Sequence, residues 1–320
     1  MLLPMKPTRL LRFLLAAGFV PAFAVSTHAK IERVVEKTFS VTGTGTLRVE
    51  THGGAIRVAP GTDGTVRVTA KQRINASTEA QADELLKKLE FTIEQTGNDV
   101  SVVSRYERRW SGFSLGSWPP VQIDFVITVP AGFASDLNTS GGGITVGNLG
   151  GKALLRTSGG PIKLAKMGGP VDARTSGGSI DLDEARGAVD LKTSGGSISV
   201  GRVSGPADLA TSGGNIKIDS VAGRLRAHTS GGSVRASIAG PLTDECSLST
   251  SGGSVRVTVD KASAFQLDAS TSGGVVDAEG LTITLEKSNR DRSRLAGAVN
   301  GGGPLLKLRS SGGGISVRGG

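Results

Sequence analysis

Thr175-Ser176-Gly177-Gly178-Ser179-Ile180-Asp181-Leu182 is followed, 18 residues on, by Thr193-Ser194-Gly195-Gly196-Ser197-Ile198-Ser199-Val200. The same Thr-Ser-Gly-Gly opens at Thr139, Thr157, Thr211 and Thr229, so six copies hold one step of 18 residues. Copies at Thr250 and Thr271 follow at steps of 21, and Ser310-Ser311-Gly312-Gly313 is a last variant. Thr51-His52-Gly53-Gly54-Ala55-Ile56-Arg57-Val58 is an outlying earlier copy. A fixed period of this length marks a stacked repeat. After each glycine pair the residues alternate apolar and polar, as in Asn215-Ile216-Lys217-Ile218. A second glycine recurs at Gly151, Gly169, Gly187, Gly205 and Gly223, and a second alternating stretch follows it, such as Val189-Asp190-Leu191-Lys192. Alternation of period two places one strand face in a core and the other in water.

Two short strands and two glycine corners bury nothing alone, but stacked on identical neighbours they bury a continuous column. The spacing therefore predicts an all-β fold: a parallel β-solenoid, or single-stranded β-helix, with rungs of about 18 residues and a narrow core of Ile, Val, Leu and Ala. Seven steps from Thr139 to Thr271 give a rod of roughly 34 Å at a strand spacing of ~4.8 Å. The corner glycines are expected to supply positive φ and to leave room between stacked corners. The Thr and Ser hydroxyls are expected to bond corner backbone groups that the strand ladder leaves unpaired. Ala173, Leu191, Leu209 and Ala227 lie two positions earlier on the threonines' own face, which points that row inward and argues against an exposed ice-binding ladder.

Of the 320 residues 48 are glycine, about twice the usual share, yet they do not follow the Gly-X-Y pattern of collagen. Cys246 is the single cysteine, which excludes an intrachain disulfide and a cysteine-based zinc site. Residues 1–29 read as a signal peptide: Lys6, Arg9 and Arg12 precede the apolar run Phe13 to Phe23, and Ala22-Phe23-Ala24 is a cleavage signal, with Thr27-His28-Ala29 a weaker second. The run is too short to span a bilayer, and the mature chain holds no other transmembrane segment. The net charge of +9 is uneven: residues 30–138 carry 13 basic and 13 acidic side chains, whereas 139–320 carry 21 and 15. An exported chain with that excess favours anionic envelope polymers or lipid headgroups over nucleic acid.

Residues 30–138 read as an irregular N-terminal β part. Its capping helix is expected over 77–89, with Ser77 as N-cap and Leu85, Leu86 and Leu89 on one face. Residues 139–320 read as the regular solenoid, with a charged insertion at 286–303 shielding the last rungs.

The leader, the strands Thr51–Val58 and Thr65–Val68, the helix followed by Phe91–Glu94, the strand ending at Val129-Pro130 and the Thr-Ser-Gly-Gly-x-Ile-x-Val units together resemble the bacterial toast-rack family, catalogued as adhesin candidates. The resemblance covers about residues 38–318. It implies a single-chain β-helix with an extracytoplasmic role and offers no catalytic residue, and fold by itself does not fix function.

Gly112-Phe113-Ser114-Leu115-Gly116 matches a hydrolase nucleophile elbow, but that motif needs a strand-to-helix turn on an α/β sheet and a histidine base. Lys192-Thr193-Ser194-Gly195 resembles a β-lactamase strand motif, yet the chain has no Ser-x-x-Lys, so it reads as one rung. Asp172, Asp190 and Asp208 hold one position in three successive units and should stack outward, and polysaccharide-cleaving β-helices use clustered carboxylates for acid–base work. Arg174 and Lys192 stand two residues further on, so the expectation is a surface ion-pair lattice. The segment from Arg105 to Trp118 is compositionally unlike the rest. It gathers Arg105, Tyr106, Arg108, Arg109, Trp110, Phe113 and Trp118, including the only Tyr and both Trp residues. Such a mixture is enriched in binding hot spots and suits sugar faces, membrane interfaces or a partner protein.

These readings point to an exported, non-enzymatic structural or adhesive interaction module of the cell envelope, binding an envelope polysaccharide, an anionic surface or a partner protein. No catalytic residue, metal or cofactor is expected. A carbohydrate-active β-helix enzyme using the aspartate column is the alternative from another class, and an envelope-sensing accessory module is a third.

Overall fold

The computed structural model describes residues 30–61, 64–106, 120–285 and 292–320. They form two long sheets, one of 13 and one of 14 strands, with a single helix. In the repeat region the neighbours are parallel and lie one unit apart in sequence. Val171 sits beside Ala153 and Val189 in one sheet, and Ile180 beside Ile162 and Ile198 in the other. Each turn of the chain thus contributes one strand to each sheet, and the two sheets face each other across the core.

The inward positions stack by residue type. Ile144, Ile162, Ile180, Ile198 and Ile216 form one buried column, while Leu137, Leu155, Ala173, Leu191 and Leu209 face it from the other sheet. Each buried Ile or Leu contributes about 1.5–3 kcal/mol relative to exposure. Phe125, Phe133 and Phe265 are also fully buried, and all three stand outside the strict 18-residue units.

The threonine row is buried and bonded, as its face implied. Thr175 Oγ1 donates to the carbonyl of Gly160 one rung below at 2.9 Å and accepts from the N–H of Gly178 in its own rung at 3.2 Å. Thr157, Thr193, Thr211 and Thr229 repeat both bonds with Gly142, Gly178, Gly196 and Gly214 below. Each hydroxyl therefore satisfies two corner groups that the strand ladder leaves orphaned.

The glycines work differently from expectation. No glycine of the Thr-Ser-Gly-Gly corners from Thr139 to Thr271 has positive φ; in the outlying Thr51 copy Gly54 does. What the second glycine provides is space. A Cβ on Gly178 would lie 2.1 Å from the carbonyl oxygen of Gly160, and one on Gly196 2.0 Å from that of Gly178. Stacking at strand spacing brings consecutive corners into backbone contact, and only hydrogen fits between them.

Sequence order and spatial order part company at both ends. Leu305–Ser310 lies between Cys246–Thr250 and Phe265–Thr271, and Ile315–Gly319 lies between Val255–Val259 and Val276–Glu279. The C-terminal rung is thus inserted between the Thr250 and Thr271 rungs, which the sequence spacing had made neighbours. The returning segment is carried by Arg294–Val299, which pairs antiparallel with Phe265–Thr271, so the expected insertion is in part a strand of the end structure. Ile283–Leu285 pairs antiparallel outside it.

The other end mirrors this arrangement. Thr46–Thr51 and Ile56–Pro60 form a rung between Asp99–Tyr106 with Val121–Val129 on one side and Ala134–Thr139 with Ile144–Val146 on the other. Eleven parallel rungs result, a stack of about 48 Å at ~4.8 Å per step. A linear stack opens from its ends, and here each outermost rung is a part of the chain flanked on both sides in sequence by inner strands.

The helix spans Glu79–Lys87, shorter than the expected 77–89, and its N-cap is Thr78 rather than Ser77. Thr78 Oγ1 accepts from the N–H of Gln81, and Gln81 Oε1 accepts in return from the N–H of Ser77. Ser77 is thereby tied from outside the helix, and Leu89 opens the buried start of the strand Leu89–Thr96. Ala82 is buried, Leu85 and Leu86 pack against the core, and Arg33 on the edge strand Lys30–Ser40 binds both Glu79 and Asp83.

Candidate functional site

Two of the seven aromatic and basic residues singled out in the sequence, Arg105 and Tyr106, are in described positions. Arg108, Arg109, Trp110, Phe113 and Trp118 lie outside the described residues, as does the Gly112–Gly116 elbow motif. Arg105 and Tyr106 end the strand Asp99–Tyr106, which pairs with the Thr51 rung so that Ser104 stands beside Thr51. The strand thus ends at the position where the other rungs carry their glycine corner, and the next described residue is Pro120.

Tyr106 Oη accepts from the N–H of Val121 at 2.8 Å and donates to its carbonyl at 3.2 Å, so one side chain joins the end of the strand Asp99–Tyr106 to the start of the strand Val121–Val129. The Tyr106 N–H donates to His52 Nδ1 at 3.2 Å. Partial burial pushes the Tyr106 hydroxyl up to about 12, partly offset by the Val121 bond. Arg105 binds Glu90 at 2.7 Å and reaches Glu50 at 3.7 Å. Both residues hold their strand neighbours together.

The aspartate column is in register on the outer face of the larger sheet. Asp172, Asp190 and Asp208 are direct partners on adjacent strands. Arg174 binds Asp172 at 3.0 Å and reaches Asp190 at 3.5 Å, and Lys192 binds Asp190 at 3.0 Å. This is the expected ion-pair lattice. The three aspartates line a shallow groove of about 380 Å³ together with Lys152 and Arg224. Asp190 Oδ1 is buried without a hydrogen-bond partner, and the Asp208 side chain, third in the column, makes no ion pair among the described residues.

The opposite sheet carries cations in the same manner. Lys217, Arg235 and Arg256 are direct partners on three adjacent strands, all exposed. Ser316 follows in the same column on the inserted rung, and Arg318 stands beside Thr258. Arg235, Arg256, Thr258, Ser316 and Arg318 line a groove of about 300 Å³ over the buried Val257. Lys217 binds Asp219 at 2.8 Å and Arg318 binds Glu279 at 3.2 Å. The side chains of Arg235 and Arg256 have no hydrogen bond or ion pair among the described residues.

A family model, Toastrack DUF4097, matches residues 46–318. The chain belongs to the toast-rack family. The match takes in both irregular ends as well as the regular units. Solved structures similar to this toast-rack chain include an adhesin candidate from Parabacteroides merdae (10% identity, TM-score 0.42) and a candidate lipid-binding protein from Parabacteroides distasonis (13%, 0.42). Each alignment covers 89% of this chain and 96% of the other. An adhesin candidate from Bacteroides fragilis is 13% identical with a TM-score of 0.35, covering 89% and 97%. No curated protein matches the chain.

The cationic column of the toast-rack coil was missed in reading the sequence, although a signal for it is present. Lys217, Arg235 and Arg256 each stand six residues after a corner threonine, Thr211, Thr229 and Thr250. Aligning the units on that threonine exposes the column directly. The lengthened step between Thr229 and Thr250 does not disturb it, because the three added residues fall before the strand Cys246–Thr250.

Proposed function

We propose that this toast-rack protein is an exported, non-enzymatic interaction module of the bacterial cell envelope, in which the coil is a rigid scaffold and its outward faces make the contact. We read residues 139–320 as one single-chain β-helix with rungs of about 18 residues, and 30–138 as its irregular N-terminal part. Export rests on the leader, with Lys6, Arg9 and Arg12 before Phe13 to Phe23.

The observation that carries the reading is the ladder construction. Corner bonds and apolar columns occupy the interior, so chemical variety is confined to outward rows held at strand spacing. Such rows present many weak, regularly placed contacts, which suits adhesion to a repetitive polymer. We read the Arg105–Trp118 segment, by its composition, as a second source of contact residues. The test is co-sedimentation of the mature protein with envelope fractions. Binding that saturates and is lowered by salt supports the reading; protein that stays in the supernatant contradicts it.

A second reading, a carbohydrate-cleaving β-helix, is favoured by one observation, the stacked Asp172, Asp190 and Asp208 with the unpartnered Asp190 Oδ1. Release of reducing ends from a polysaccharide panel, abolished in Asp190→Asn at unchanged melting temperature, would establish it.

A further inference from the structure

We propose that the groove lined by Arg235, Arg256, Thr258, Ser316 and Arg318 is a binding site for an acidic polysaccharide, its arginines pairing with carboxylates on successive sugar units. The proposal rests on the envelope-module reading and names the surface and the ligand chemistry.

Three features point there. The first is an uncompensated cost. Lys217, Arg235 and Arg256 stand directly opposite one another on adjacent strands, where like charges destabilise a sheet. On the other sheet Asp172 and Asp190 also stand opposite one another, but Arg174 and Lys192, two residues further along their strands, pair with them. Here the side chains of Arg235 and Arg256 find no counter-charge among the described residues and stand exposed to an anionic ligand.

The second feature is chemistry. Arg235, Arg256 and Arg318 present planar forks that match carboxylate geometry, and the Thr258 and Ser316 hydroxyls between them suit sugar hydroxyls. The hydrophobic member of the lining, Val257, is buried, so every outward side chain of the groove carries a polar or charged group. Arg235 and Arg256 repeat at one strand spacing, a distance comparable to one sugar unit along a glycan, so a linear polymer meets them in step.

The third feature is how the groove is assembled. Arg235 comes from Val234–Ile238, Arg256 and Thr258 from Val255–Val259, and Ser316 and Arg318 from the inserted Ile315–Gly319. The C-terminal rung completes the site, and Glu279 on the next strand holds Arg318 at its rim.

The test uses the mature full chain and immobilised polygalacturonate, with dextran as the neutral control and phosphatidylglycerol vesicles as the anionic lipid control. The expected result is salt-sensitive binding to polygalacturonate, none to dextran, and weaker binding to the vesicles. Arg235→Glu with Arg256→Glu is expected to weaken polygalacturonate binding at least tenfold. Arg57→Glu with Lys163→Glu, the same change of net charge at distant positions of that column, is expected to leave it within twofold. Arg235→Gln with Arg256→Gln guards against misfolding and is expected to lose binding while melting at or above the wild-type temperature, because like-charge repulsion is relieved.

Equal loss in both double charge-reversal variants, no binding to polygalacturonate, or preferential binding to vesicles overturns the proposal. If Arg235→Gln with Arg256→Gln still co-sediments with envelope at the wild-type level and binds polygalacturonate normally, the groove fails as the site while the envelope reading stands. If the wild type itself does not co-sediment, that reading fails as well.

Discussion

The Thr271 hydroxyl donates to the carbonyl of Gly313, 2.6 Å away and 42 residues later in the chain. Ser310 in turn donates to Gly253 at 2.8 Å, and Thr250 to Gly232 at 2.6 Å. The corner bonds therefore run from the Thr250 rung through the Ser310 rung to the Thr271 rung. The same ladder links Thr139 to Gly54 at 3.1 Å, 85 residues apart in the chain. One recurring bond thus follows the true spatial order of the coil through both places where sequence order departs from it.

The two glycines of one corner are expected to respond oppositely to alanine. At Gly178 the added methyl meets the Gly160 carbonyl at 2.1 Å, so the rungs must separate; Gly178→Ala should lose about 3 kcal/mol or more. At Gly177 the nearest atom is 3.4 Å away and φ is not positive, so Gly177→Ala should change stability by no more than about 0.5–1 kcal/mol. Denaturant titration of both variants measures the difference. Equal destabilisation would show that the corner needs conformational freedom rather than space.

Thr193→Val keeps the shape of the side chain and removes its bond to the Gly178 carbonyl and its acceptor for Gly196. Two corner groups lose their partner, and the expected cost is about 1–3 kcal/mol. Thr193→Ser retains the hydroxyl, as Ser310 does naturally, and should cost less. A Thr193→Val variant as stable as wild type would remove the hydroxyl ladder from the account of the corners.

Tyr106 gives the protein a stability change at high pH. Its hydroxyl is raised from 10.0 in the reference state to about 12 in the fold, chiefly by burial. Its contribution is then complete below about pH 10 and is lost as pH rises through 12, because the unfolded chain releases the proton first. Tyr106→Phe should remove that part of the alkaline loss and should also be less stable at neutral pH, since Val121 loses both bonds. Melting temperatures between pH 8 and 12 read both effects.

How much of this was legible in the sequence follows from range. The alternation and the 18-residue step are local and repeat identically, so strands, inward faces, the buried threonine row and the Asp172–Arg174–Asp190–Lys192 lattice could be read directly. The role of Gly178 could not be separated, because a glycine needed for φ and one needed for clearance look the same in one chain. The inserted rung was hidden because Thr250 to Thr271 keeps the 21-residue step of a neighbouring rung, while the segment that intervenes in space arrives from beyond Arg294–Val299. Of the Arg105–Trp118 cluster, composition marked the segment, but nothing local announced that Tyr106 would reach back to Val121. The Lys217–Arg235–Arg256 column was present in the spacing and emerges only when units are compared position by position.

The most direct test of the coil is a pair of engineered crosslinks. Arg256 and Ser316 are partners on adjacent strands, about 4.8 Å apart, whereas Arg256 and Asp277 are two strands apart, beyond the roughly 7 Å limit for a disulfide. Cys246 is buried and does not compete. Under mild oxidation, Arg256→Cys with Ser316→Cys should form the disulfide quantitatively in the folded protein, and Arg256→Cys with Asp277→Cys should not. The reverse outcome would mean that the rungs stack in sequence order and that the C-terminal segment does not lie between them.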